Sequence, residues 1–594
     1  LIKRQPGFAR NDVAAYGVGA GVSGTVAVQI SADVHVMTAN TFAYIDDNAR
    51  INEADNNEGA NQSVLVAAGN DYAHLGVAGG AAISGVAGVT PGVEVSVVAI
   101  TTKGYIGDSA VVEAAKDVEV RAQSVEDVLA IAIAIGASGV VGVGGAVAAF
   151  VLNNVTYAYI DDGATVNAGG NLLIAAADTT DVDIVAVGAG IGVGAAGIGA
   201  GVGVTIITKD TQAWIGDASV DAKGNSTAMT VYDGTLDDSG TFGLTDSTDD
   251  VSGVAVIAES SENILTFGMA GAGGLGAGVA GAVTVEIIDS DTRAYIDAGA
   301  QINSDATGAN AHQDVHVAAV NDVTMLAISG AIGIGTAGLA GGVDVGILRN
   351  DTTAYIAGDV SAQRDISASA LANRDIESYV ISAGGGAAGL GAAVSVYALG
   401  GNLVSSYTFD DNGSDETENS LSAQNEDDPD TEENEEETTD IIGGVDSLLS
   451  ASDASDSLGD LSDSSTADTT ANNDDVRSAA SSAQSDFKGA APDGAVSGST
   501  TASGSTGSAG SLSVPRGTSA FIAQGASLAA GRHVDLDAHE RIDLLVIGGG
   551  LGIGGVGVGA GIVILSVDED VTAFIGGGAT IRAVVKDLLG VKLP

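Results

Sequence analysis

The chain has 594 residues, 87 of them glycine; 45% are hydrophobic but only 4% aromatic, so the apolar content is mainly Ala, Val, Ile and Leu. Such small or β-branched side chains suit pleated sheets better than a large globular core, and six prolines exclude collagen and elastin-like chains. A formal charge of −56, from 77 acidic against 21 basic residues, argues against nucleic acid and anionic lipid as partners; zero cysteines exclude disulfides, thiolate zinc and a cysteine nucleophile.

The first residues, Leu1-Ile2-Lys3-Arg4-Gln5-Pro6, lack the apolar stretch of a signal peptide and read as a processed start. From there a motif, Thr-x-Ala-aromatic-Ile, recurs along the chain. Its aromatic positions are Tyr44, Tyr105, Tyr159, Trp214, Tyr295, Tyr355, Phe521 and Phe574, at spacings of 61, 54, 55, 81, 60, 166 and 53 residues. The two long spacings contain inserts. One is a polar stretch from about 223 to 253; the other is an acidic, Ser-rich tract from about 409 to 514. Removing them leaves a repeat of about 53 to 60 residues, as in repeat architectures.

Inside a unit the alternation is strand-like. Ala164, Val166 and Ala168, a Gly169-Gly170-Asn171 turn, then Leu172, Ile174 and Ala176 all share one parity. The frame returns as Ala110 to Ala122 and as Ala526 to Ala538. The Gly-rich remainder also alternates, with a one-residue slip near Ala196-Gly197 that predicts a corner. Val128–Leu152 and Ile184–Ile207 are long and uncharged, but their period of two, acidic flanks and Gly density speak against spanning helices. No membrane-spanning segment is expected.

The expected fold is all-β: a parallel β-solenoid of 53–60-residue units with a disordered acidic insertion. The domains are then residues 1–408 (solenoid, with the polar insert at 223–253), 409–514 (acidic insertion) and 515–594 (solenoid resumed). Four or five short strands per unit predict two coils of roughly 27 residues. On that geometry the eight aromatic rings form one column outside the main core, with neighbours about 9 to 10 Å apart. That is too far for direct stacking.

The units Thr156-Tyr157-Ala158-Tyr159-Ile160-Asp161-Asp162-Gly163-Ala164 and Thr292-Arg293-Ala294-Tyr295-Ile296-Asp297 resemble the repeats of very large Gram-negative filamentous adhesins, including the leukotoxin-like group. The corner Ala164–Ala176 is similar to filamentous-haemagglutinin-type passengers. The resemblance implies secretion, display on the outer surface of a Gram-negative bacterium, and adhesion. The expected partners are other copies of the chain in a fibre, or a ligand on a host or neighbouring cell. A self-assembling filament or surface-layer protein is the alternative, and a secreted toxin a further one.

No enzymatic constellation stands out, and no catalytic residue or organic cofactor is expected. Gly192-Val193-Gly194-Ala195-Ala196-Gly197 fits a dinucleotide fingerprint on paper, but no helix follows it. His312 and His316 are four apart in a strand frame, with His316 facing outward; His533 and His539 read as exposed strand-edge residues. The polar candidates are the carboxylates after the motif: Asp46, Asp47, Asp161, Asp162 and Asp297. Stacked corners would gather them into columns where Ca²⁺ relieves their repulsion. The alternative is that they are solvated turn residues.

Overall fold

The computed structural model describes residues 5–52, 59, 61–234, 247–400 and 513–583, with strand fragments at 406–407, 419–421 and 500–501. The chain divides into two units, Leu1–Gly401 with Ser499–Pro594, and Asn402–Gly498. In the second unit, Ser406–Tyr407 pairs antiparallel with Asn419–Leu421. The disorder expected for the acidic tract lies otherwise outside the described residues.

The first unit is a parallel β-solenoid with eight coils among the described residues, its strands aligned in three sheets. The fourth coil shows the plan. A long strand, Leu172–Gly192, runs outward; a tight turn leads into a second, Ala196–Ile215, which returns; a short strand, Ser219–Ala222, closes the base. Each strand pairs in parallel with its equivalents above and below, as Leu172 does with Val118 and Val254.

One repeat is therefore one coil, not two, and it has two long strands and one short one in place of four or five short ones. Tyr105 pairs with Tyr159, and Tyr159 with Trp214, in immediately neighbouring coils. The alternation that suggested short strands continues unbroken for about twenty residues per strand. Period two marks which way a side chain points, not where its strand ends. The slip at Ala196 is the outer turn, at 193–195.

The inward residues change character from base to rim. At the base, Ala164, Val166, Ala168, Leu172, Ile174 and Ala176 are buried with their equivalents in one aliphatic core, as the shared parity predicts. A polar layer follows, then a second apolar cluster around Val128, Phe150, Val182 and Ile207. Towards the rim the interior is glycine and alanine, and the two long sheets close on each other. A Cβ on Gly190 would lie 1.9 Å from the Ile198 carbonyl oxygen. Gly190→Val should therefore wedge the sheets apart and cost about 1–3 kcal/mol. Hydrogen exchange should rise around Ile198, while amides near Val166 keep their protection.

At the base corner, backbone φ is positive at Asn48, Ser109, Gly163, Gly299, Gly525 and Gly578, always three residues after the motif Ile. Glycine takes this conformation without strain, and Asn48 and Ser109 show that the corner imposes it on other residues too.

Both inserts leave and rejoin the solenoid at defined places. The polar stretch is in part a flap: Met229–Tyr232 pairs antiparallel with residues 248–251. Its Val231 and Val251 pack on Leu173, Ala255, Ile257 and Ala318 of the first long sheet's outer face. The acidic tract enters within a strand of the seventh coil, not at a corner. Leu399 pairs with Leu348 before it, and Thr518 pairs with Thr352 after it, so only Arg349–Asp351 of the neighbouring strand face the break.

Candidate functional site

Two polar or aromatic constellations run along the coils. The first is outside, beside the base. The eight motif rings point outward because their parity opposes that of the inward Ile. They stack directly: Tyr44, Tyr105, Tyr159, Trp214, Tyr295, Tyr355, Phe521 and Phe574 follow one another at 5.0, 4.9, 4.2, 5.8, 4.8, 5.0 and 4.8 Å between centroids. Interplanar angles do not exceed 10°. The expected spacing of 9 to 10 Å was wrong because it assumed an intervening coil. Tyr44 is 45% exposed, whereas Tyr355 and Phe521 are buried in a cluster with Val514 and Ala523. Each of the six inner rings has both faces covered by its neighbours, so only their edges can meet solvent, while Tyr44 and Phe574 each have one face covered by a ring. This column is built for stability and offers no flat platform to a ligand.

The candidate calcium ligands lie just beyond these rings, at the base corner. Asp47 and Asp162 each accept a backbone N–H from the next coil, Asp108 N to Asp47 Oδ1 at 3.0 Å and Asp217 N to Asp162 Oδ1 at 2.9 Å. Asp46, Asp161 and Asp297 each accept the N–H of the following residue, at 3.0, 3.0 and 2.7 Å. The carboxylates do gather along the axis. Burial raises the Asp161 carboxyl, opposed by the Asp162 N–H and reinforced by Asp162, Asp108 and Asp47. Asp297 rises for the same first reason. Among the described residues no three His, Asp or Glu converge as a metal-binding group. The geometry is that of carboxylates fastening turns.

The second constellation is inside, and sequence reasoning missed it. Lys209 Nζ lies 2.8 Å from Asp178 Oδ1 and 3.0 Å from Glu262 Oε1, all three side chains fully enclosed. Glu126 completes the group, accepting from Asn154 at 2.9 Å and Thr180 at 2.8 Å, with Ser124 also donating. Burial disfavours the ammonium, but Asp178 and then Glu262, the two carboxylates it contacts, outweigh it and hold the Lys209 pKa above its usual value. Burial, then Asp178, raises Glu126 well above the ordinary range. The layer continues to Arg374, which meets Glu540 and, at 2.6 Å, Glu569. Glu540 is pushed up to about 8, first by burial and then by Glu569. The parity held the signal: Lys209 shares the frame of Ile207 and Ala213, and Glu126 that of Ala122 and Val128.

This layer makes stability depend on pH. Glu540 keeps a proton in the fold up to about pH 8 that the unfolded chain loses above its ordinary pKa of 4.5, and burial raises Glu126 in the same direction. The native state then binds more protons, so stability falls as pH rises from about 4.5 through about 8. A Glu126→Gln/Glu540→Gln variant should show a flatter decline in denaturation midpoint over that window.

The histidines follow their sequence reading in part: His316 and His533 face as expected, while the cover over His316 and the half-burial of His539 differ. His316 does face outward but is covered by the flap, with Nε2 2.8 Å from the Tyr232 carbonyl oxygen and Nδ1 2.7 Å from Ser367 Oγ. His312 and His533 are exposed and His539 is half-buried. Inside the second coil, His74 Nε2 lies 2.8 Å from Ser96 Oγ, which donates to Glu94 Oε1 at 2.6 Å. These are the residue types of a nucleophilic triad, yet all three are buried between the long sheets, where no substrate can reach the hydroxyl.

Together these features define a parallel β-solenoid with an outer aromatic column and an inner ionic layer. No family profile, curated protein or solved structure matches the chain. No helix among the described residues is long and apolar enough to cross a membrane.

Proposed function

We propose that the chain is a non-catalytic structural protein of the bacterial exterior, serving as the stalk of an adhesin-like surface fibre. The observation that carries this reading is the in-register parallel stacking of eight coils across three sheets. Each coil is tied to the next by backbone hydrogen bonds and a ring stack, with buried ion pairs added between the fourth and fifth and between the seventh and eighth coils, which suits a rigid spacer. The acidic surface and the lack of cysteine suit a soluble chain in an oxidising exterior. Adhesive contacts then belong to segments added to the coils, such as the flap strands 229–232 and 248–251.

Binding of the labelled full chain to cultured epithelial cells tests the reading. Saturable binding that weakens when the flap is shortened supports an adhesive stalk. Failure to bind any cell surface, with turnover of a substrate, would sink it.

A further inference from the structure

The outer rim reverses the usual arrangement of a β-protein. Glycine and alanine line most of its inside, and aliphatic side chains stand on its outside. Ile133 and Ile135 on the first long sheet, Val193 and Leu275 in the turns, and Val279 and Leu339 on the second sheet are all 38–71% exposed. Tight glycine contacts, such as Gly136 against the Val143 carbonyl, leave no room to turn these side chains inward. The rim is also free of charge. Beyond the outward column Asp183, Glu377 and its equivalents, no Asp, Glu, Lys or Arg points outward in any of the eight coils. Even the turn amides are bonded between coils, as Val193 N is to Ser138 O and Gly276 N to Ala195 O.

We infer that this rim is a self-association surface, on which a second copy of the chain packs sheet against sheet. Three observations select that occupant. The first is charge: a chain at −56 repels its own copies, and the rim is where two of them can meet without opposing carboxylates. The second is shape: a sheet of strands stacked in register presents regularly spaced side-chain rows that a copy of itself can pack against, as in stacked β-sheets. The third is size. Ile184–Gly192 and its equivalents in eight coils cover about 30 Å by about 38 Å at ordinary strand spacings, on the order of 1,000 Å² per face. A stable interface needs roughly 800 Å² per partner. The border is mainly acidic, with Asp127, Asp181 and Asp183 on the first sheet and Asp289 beside Arg349 on the second, and so offers few of the basic anchors that favour an anionic lipid surface. The inference rests on this surface alone and stands even if the chain is no adhesive stalk.

Sedimentation of the full chain tests it. The wild type should form dimers or larger species at micromolar concentration. The variant Ile191→Asp/Val193→Asp/Leu275→Asp/Ile334→Asp, altered only at exposed positions, should associate at least tenfold more weakly while keeping its β-sheet circular dichroism. Because the chain has no cysteine, Val193→Cys gives a second readout: oxidation should trap disulfide dimers there, and not at Asp217→Cys on the base corner. A wild type that stays monomeric, rim charges that leave association unchanged, or equal trapping at both positions would overturn the proposal. So would a monomer that floats with phosphatidylcholine vesicles, since lipid would then be the occupant.

Discussion

Replacing Lys209 with Met should destabilise the middle coils by about 3–5 kcal/mol, the usual cost of removing one partner from a buried ion group. Methionine keeps the length of the side chain, so the loss is electrostatic. Asp178 and Glu262 would be left at the centre of the solenoid without the ammonium that both contact. Some of the cost is recovered by protonation, because Asp178 is already raised by burial against the pull of Lys209. The variant should therefore lose less stability in acid than at neutral pH. Hydrogen exchange is the suitable measurement, since a stacked array does not unfold as one two-state unit. Faster exchange should centre on strands Val118–Ser138, Leu172–Gly192 and Thr248–Gly274, which carry the three carboxylates. Unchanged protection there would show that the ammonium contributes nothing net.

Trp214→Ala should cost a similar amount, about 3–5 kcal/mol for a large packed side chain. Trp214 lies 4.2 Å from Tyr159 and 5.8 Å from Tyr295, with Tyr157 edge-on at 5.4 Å. Its removal breaks the column into two shorter stacks, losing roughly 0.5–1.5 kcal/mol per aromatic pair as part of that total. Damage should stay in the third to fifth coils, because each coil contacts only its neighbours. Trp214→Phe, which keeps a ring in the stack, should recover most of the loss. Trp214 is the single tryptophan of the chain, so its emission also reports on the column. Tyr159→Ala should shift that emission to the red by letting water reach the indole. An unshifted spectrum would mean that the stack does not shield it.

The parity of Ala164 to Ala176, with its copies, was enough to establish the all-β class and the inward set, because alternation is a local property of an extended chain. The recurring Tyr-Ile pair likewise placed one ring per unit on one outward column. The sequence could not say how far a strand runs, so one repeat was divided into two coils and the rings were set twice too far apart. Tertiary structure decided that, since the closure of a coil depends on pairing with residues about 53 to 61 positions away, such as Tyr105 with Tyr159 and Tyr295 with Tyr355. The same distance hid the partners of Lys209: its inward parity was legible, but Asp178 and Glu262 come from two other strands. The flap over His316 and the exposed rim were also settled only in three dimensions. Alternation marks two faces of a strand, and only the packing of sheet on sheet determines which of them meets water.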